Sequence, residues 1–185
     1  MLIDTKATTK AANDANAATL KAIAQEHTNS QRGLRAYVSV LPDGINTRID
    51  DEDRMMAHIF VKNAGQIIAK NIRVVVHARI SSDRNDSSFF FPTDEELRPI
   101  GSLHPGSEVR RGSVEVFTEM DVDHAYEYGL FFFVWGTVRY DDGFGKPRYT
   151  NFCHRYNAHA REVSNDRFFI SKDVARNHET GNDVD

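Results

Sequence analysis

The residues that could do chemistry are few, and their placement argues against catalysis. Cys153 and His154 are adjacent in a segment that alternates like a β-strand. Neighbouring strand residues point to opposite faces of a sheet, so this cysteine and histidine cannot form a nucleophile–base pair. We therefore expect Cys153, the single cysteine of the chain, to be a buried structural residue. It also cannot form an internal disulfide.

Metal and cofactor motifs are equally weak. His154 and His159 offer imidazole nitrogens, but no acidic or cysteine partner stands in register with them. The segment from Asp121 to His124 resembles the start of a calcium loop, yet it lacks the glycine and the distal glutamate of an EF-hand. The G-x-S-x-G, P-loop, dinucleotide-binding and H-E-x-x-H motifs do not occur. We expect no catalytic residue, no metal and no cofactor.

The clearest structural pattern is a hairpin between Gly129 and Tyr156. Leu130 to Trp135 is apolar at every position, which is typical of a central strand covered on both faces. The turn Asp141 to Gly145 combines two carboxylates with two glycines. Arg148 to Tyr156 then alternates as the return strand.

Further strands are predicted by the same alternation, and the fold class follows from their spacing. They are Ala36 to Val40, which ends at the turn Leu41 to Gly44, then Met55 to Lys62, Ile72 to Ile80 and Ser113 to Met120. About seven short strands indicate an all-β protein, an immunoglobulin-like antiparallel β-sandwich. We expect this sandwich to span residues 33–157, with a helical arm or linker at 1–32 and a partly disordered extension at 158–185.

The N-terminal segment is different in kind, because it is rich in alanine and has no glycine or proline from Thr5 to Gln31. Alanines at helical spacing predict a helix whose apolar stripe is narrow, with Leu20 and Ile23 as its large members. It is either a projecting, partly frayed helix or a close-packed assembly helix. The stripe consists of Ala11, Ala15, Ala18 and Ala22.

Charge and hydropathy exclude several classes of function. The net charge of −4 and the pI near 6.1 argue against a general nucleic-acid binder. The longest apolar run, Leu130 to Trp135, is far shorter than the ~20 residues of a membrane helix. The first ten residues contain no apolar segment of the kind found in a secretory signal. The expected location is therefore the cytoplasm, or a virion, with any contact to a membrane indirect.

Three stretches together resemble a family of bacterial and prophage-encoded proteins. They are RAYVSV (Arg35 to Val40), FVKNAGQIIAKNIRVVV (Phe60 to Val76) and the hairpin FVWGTVRYDDGFGKPRYTNFCHRY (Phe133 to Tyr156), with the turn Pro105-Gly106 between the last two. The hairpin follows the pattern G-x-v-x-Y-x-D-x-F-G-x-x-r-x-T-x-F-C. Many members carry membrane helices ahead of a helical stretch, and this sequence shows none. The resemblance implies the fold and no activity.

These observations favour a non-enzymatic structural or interaction protein. The sandwich would recognise another protein, and the helix would serve in assembly or docking, as an accessory component of a bacterial complex. A phage or prophage virion component is the alternative, and a small-molecule or glycan binding module is a further one. The binding of a small molecule or glycan would depend on exposed aromatic rings around a concavity, unless those rings pack over the ends of the sandwich. The interaction residues expected are Ala11, Ala15, Ala18, Ala22, Ile23, Tyr126, Tyr128 and Phe144. An open first strand, or Arg167 to Ile170, would be the place for strand addition.

Overall fold

The computed structural model describes residues 2–48, 51–164 and 167–185. The chain divides into two compact units, Met1–Arg35 and Ala36–Asp185. The first unit is a single helix, α1 (Leu2–Leu34), as the alanine spacing predicts. Its stripe is exposed, and Ile23 keeps 57% of its surface in solvent. The helix residues expected to mediate assembly or docking are therefore exposed to solvent.

The second unit is mostly β-structure. Its elements are β1 (Val38–Arg48), β2 (Asp51–Asn63), β3 (Ala69–Ser81), β4 (Arg98–Leu103), β5 (Glu108–Gly112), β6 (Phe117–Thr118), α2 (Glu119–Glu127), β7 (Phe131–Asp141), β8 (Pro147–Asn157), β9 (Arg161–Ser164), β10 (Arg167–Ile170), β11 (Arg176–Asn177) and β12 (Asp183–Val184). Two short 3-10 turns, Ala158–Ala160 and Lys172–Val174, follow β8 and β10.

These strands form two antiparallel sheets. The first sheet has the order β5-β2-β1-β10-β9, with β6 also pairing with β2. The second has the order β11-β8-β7-β3-β4, with β12 also pairing with β8. The hairpin predicted from Gly129 to Tyr156 is confirmed as the β7–β8 pair, in register from Phe131↔Asn157 to Asp141↔Pro147.

One hydrophobic core joins the two sheets. Ile45 and Ile59 of the first sheet cluster with Val74, Phe132 and Tyr156 of the second, and all five are at least 97% buried. The Tyr156 hydroxyl also accepts a hydrogen bond from the Gly44 amide at 3.3 Å. Because both sheets bury their apolar faces in a single cluster, the arrangement is consistent with a β-sandwich.

A second, smaller cluster covers the outer face of the second sheet. Phe133, Trp135 and Cys153 are buried there beneath aromatic residues of the loop that precedes β4. The Trp135 indole nitrogen donates to the Phe90 carbonyl at 3.0 Å, which fixes that loop on the sheet. This second layer explains why β7 is apolar on both faces, as its sequence predicts.

Three expectations need correction. The described residues form twelve strands, not about seven, because several have only two to six residues and show no periodicity. The expected turn at Leu41 to Gly44 lies within β1, which continues past an irregularity between Pro42 and Ile45. Residues 158–185, expected to form a partly disordered extension beyond the sandwich domain, add β9 and β10 to the first sheet and β11 and β12 to the second.

An open strand edge beside a cavity

The backbone of β1 has one side paired and one side open. The Tyr37 carbonyl accepts from the Ala64 amide at 2.7 Å. In an antiparallel ladder, hydrogen-bonded pairs recur at every second residue. Ser39 and Leu41 therefore direct their backbone groups toward β2, and Val38 and Val40 direct theirs away from it.

The open side is bounded at both ends. Toward the N-terminus, the Val38 carbonyl accepts from the Thr150 hydroxyl of β8 at 2.8 Å. Toward the C-terminus, β1 pairs with β10 through Ile45↔Ile170. Between these points, no described strand pairs with the outer side of β1. The gap offers the amide and carbonyl of Val40 and the carbonyl of Pro42, whose ring nitrogen cannot donate.

A cavity of about 370 Å³ opens beside this gap, and we call it the edge cavity. One wall comes from β1, one from the core-facing side of β8, and one from the C-terminal segment. Many of its lining groups are hydroxyls, amides or an imidazole. They include Ser39, Thr150, Asn151, His154, Asn177 and Asn182.

His154 gives the edge cavity its most specific chemical feature. Its side chain is 98% buried, and Nδ1 lies 3.2 Å from the Asn177 Oδ1. Burial lowers the pKa of His154 to about 4, so the imidazole is neutral at pH 7. A neutral ring that donates through Nδ1 keeps an acceptor lone pair on Nε2. This Nε2 is buried and has no hydrogen-bond partner among the described residues.

One side chain makes three of the hydrogen bonds that hold the C-terminal wall in place. The Asn182 amide accepts from the Cys153 backbone nitrogen at 3.0 Å and donates to the Cys153 carbonyl at 3.2 Å. It also donates to the His178 carbonyl at 2.8 Å. Sequence reasoning did not single out Asn182 or Asn177, because isolated asparagines near a chain terminus carry no periodic pattern.

The aromatic residues expected around a concavity do not share one. Tyr126 and Tyr128 lie at the end of α2, 42% and 62% exposed, and Phe144 lies in the β7–β8 turn, 38% exposed. Tyr128 precedes β7 and Phe144 follows it, and this strand has 11 residues. At about 3.3 Å per residue, roughly 35 Å separates them. Tyr126 instead packs against His159 and under the Arg161 guanidinium.

The histidines that a catalytic cleft would need are also apart. His77 lies on the outer face of the second sheet, stacked on Trp135, with its Nδ1 2.8 Å from the Glu115 carboxylate. His154 lies on the core-facing side of the same sheet. Within the described ranges, no group of three or more histidine, cysteine, aspartate or glutamate residues could hold a metal.

Cys153 behaves as the sequence predicts. It is fully buried, and burial raises the pKa of its thiol to about 12. The thiolate, which is the nucleophilic form, is therefore not populated at neutral pH.

Together these features define a class: a mostly β protein of two antiparallel sheets, with an N-terminal helix and an open strand edge. The chain belongs to the DUF8453 family, a domain of unknown function, whose family model matches residues 6–157. The match includes most of α1 and ends with β8. Comparison with curated proteins and with solved structures gave no match. Of the helices in the described ranges, none combines the length and the apolar character needed to cross a membrane.

Proposed function

We propose that this protein is a non-enzymatic recognition protein that binds an extended segment of another protein by strand addition to β1. The observation that carries this proposal is the open edge at Val40, bounded by the Thr150 hydroxyl and by β10. We further propose that the two sheets form an immunoglobulin-like sandwich, because antiparallel strands of both enclose one core.

Backbone pairing alone would be weak at this edge. The gap offers one amide and two carbonyls, and each hydrogen bond contributes about 0.5–1.5 kcal/mol. Affinity and specificity must therefore come from a side chain of the partner. Residues directly opposite each other in paired strands share a face. Val40 lines the edge cavity, and the side chains of its chain neighbours point to the other face of the sheet. The partner residue opposite Val40 would therefore enter that cavity.

The cavity specifies the chemistry of that partner residue. His154 Nε2 has no hydrogen-bond partner among the described residues, and a buried acceptor left unpaired costs about 1–3 kcal/mol. A serine, threonine, asparagine or glutamine side chain would supply the donor. We therefore expect an extended partner segment with a hydroxyl or amide residue at this position.

The biological setting that we favour is an accessory component of a bacterial complex, with the exposed helix α1 serving in assembly or docking. A phage virion component is the alternative, and it would form regular homo-oligomers through α1. A polar small molecule is a second candidate ligand, favoured by the hydroxyl and amide lining of the edge cavity.

The test is a displayed library of random peptides screened against the full chain. Selected peptides should compete for one site and share a hydroxyl or amide residue. N-methylation of the peptide at alternate positions should abolish binding, because it removes the amides that pair with β1. Binding that tolerates N-methylation at every position would contradict strand addition.

Matched substitutions at the edge separate backbone from side-chain effects. Val40→Pro removes the open amide, whereas Val40→Ala keeps it. We expect Val40→Pro to lower peptide affinity about tenfold relative to Val40→Ala, the effect of one hydrogen bond. Circular dichroism checks that both variants fold. Equal affinities would count against the proposal, and the N-methylated peptides decide the question if Val40→Pro does not fold.

A further inference from the structure

A second cavity lies on the other side of the β1–β2 pair, and we call it the arginine groove. Its volume is about 440 Å³, within the ~300–1,000 Å³ range typical of small-molecule sites. β4 bounds it on the second sheet and β5 on the first. The residues that matter for its chemistry are Val74, Val76, Arg98, Arg111, Val114 and Val116.

The segment after β5 forms one end of the groove by crossing between the sheets. The Ser113 amide donates to the Ala57 carbonyl of β2, and the Val114 amide donates to the Val76 carbonyl of β3, both at 2.8 Å. β4 ends its pairing with β3 at Val74↔Arg98. Valine side chains of β3 thus lie at the base of a gap between two arginine-bearing edges.

The ladder register places both arginines on the core-facing side of their sheets. Arg98 is opposite Val74, and Arg111 is opposite Ile59. Val74 is 97% buried and Ile59 is completely buried, so both face the core. Cross-strand partners share a face. Arg98 and Arg111 therefore reach the groove from opposite sheets.

These two guanidinium groups have no carboxylate partner among the described residues. Within the described part of the chain, Arg111 donates to the Arg110 carbonyl at 2.7 Å and to no carboxylate. Other arginines nearby have carboxylate partners, since Arg110 pairs with Asp43, and Arg73 shares Asp94 with Arg139. Two guanidinium groups that have no carboxylate partner in the described ranges, and that lie beside apolar side chains, create a positive potential at the groove.

We propose that the arginine groove binds a small amphiphilic anion, an alkyl carboxylate. The carboxylate would lie between Arg98 and Arg111, since guanidinium groups match carboxylate geometry with paired donors. The alkyl chain would lie on the valines. Inward-pointing charges also protect sheet edges from pairing with other chains, and that role alone would require no ligand.

The experiment is calorimetric titration of the full chain with octanoate, octan-1-ol and acetate. Octanoate should bind, octan-1-ol should bind at least about tenfold more weakly because it lacks the charge, and acetate should not bind detectably. Arg98→Gln and Arg111→Gln should each lower the octanoate affinity at least about fivefold. Arg176→Gln is the matched control, because Arg176 likewise donates to the carbonyl of its preceding residue, at 2.9 Å, but lies on β11.

Each outcome decides the proposal. Octanoate binding that both groove variants weaken and Arg176→Gln leaves unchanged supports it. Absence of octanoate binding, equal affinity for octan-1-ol, or insensitivity to both groove substitutions would overturn it. If the groove variants aggregate yet bind octanoate normally, the arginines protect the sheet edge and the proposal fails.

Discussion

Acidification should destabilise this protein through buried histidines before its carboxylates protonate. His154 is buried with its pKa lowered to about 4 by desolvation. His58 is 4% exposed, and burial together with the Arg110 charge lowers its pKa to about 4. In both, the unfolded chain binds the proton more tightly than the folded chain.

The sign and size of the effect follow from that difference. Between pH 6.5 and pH 4 the unfolded state holds more protons, so the free energy of unfolding rises with pH in that window. The stability from each neutral histidine is present above pH 6.5 and is lost as the pH falls toward 4. From about pH 7 to about pH 5, His154 alone should account for a loss of about 2 kcal/mol.

Urea unfolding of the wild type and of His154→Gln at several pH values measures this loss. The variant is less stable at neutral pH, yet its stability should fall by about 2 kcal/mol less between pH 7 and pH 5. His104→Gln is the matched control, since His104 is exposed. Identical pH dependence in the wild type and in His154→Gln would refute the assignment of a neutral, buried imidazole.

Three further predictions concern stability and assembly. Gly136→Ala should destabilise the fold by roughly 1–3 kcal/mol, because an added Cβ would lie 2.0 Å from a backbone oxygen of β3. Gly33→Ala is the control, since an added Cβ there has no atom within 4 Å, and equal melting temperatures of the two variants would contradict the prediction. Asp142→Ala should cost roughly 3–5 kcal/mol in urea unfolding, because this buried carboxylate accepts from two turn amides and from the Arg148 guanidinium at 3.2 Å, while a loss below about 1 kcal/mol would make that network unimportant. Deletion of residues 1–31 should leave cooperative unfolding intact and abolish any self-association in light scattering, since residues 36–185 form a separate compact unit; loss of cooperative unfolding would show that the helix belongs to the core.

The central strands could be predicted because their residues repeat a simple pattern. Every position from Leu130 to Trp135 is apolar, and the structure uses both faces: Phe132 and Val134 face the shared core, while Phe133 and Trp135 face the outer cluster. The sequence predicts this burial on both faces because the apolar or polar type of each residue indicates whether its side chain is buried.

The candidate site could not be predicted in the same way, because it depends on contacts between distant residues. Pro42 resembles a turn residue locally, and only its position on the open side of β1 makes it compatible with a strand. Asn182 meets Cys153 across 29 residues of sequence. The inward placement of Arg98 and Arg111 follows from ladder register, which a single sequence does not encode at short range.

Amide hydrogen exchange at β1, measured by NMR with and without a selected peptide, tests strand addition most directly. In the free protein the Val40 amide should exchange rapidly, and the Leu41 amide, which pairs with β2, should be protected. Peptide binding should protect Val40 and leave Leu41 unchanged. If Val40 is already protected in the free chain, or stays unprotected when the peptide is bound, β1 is not the recognition edge.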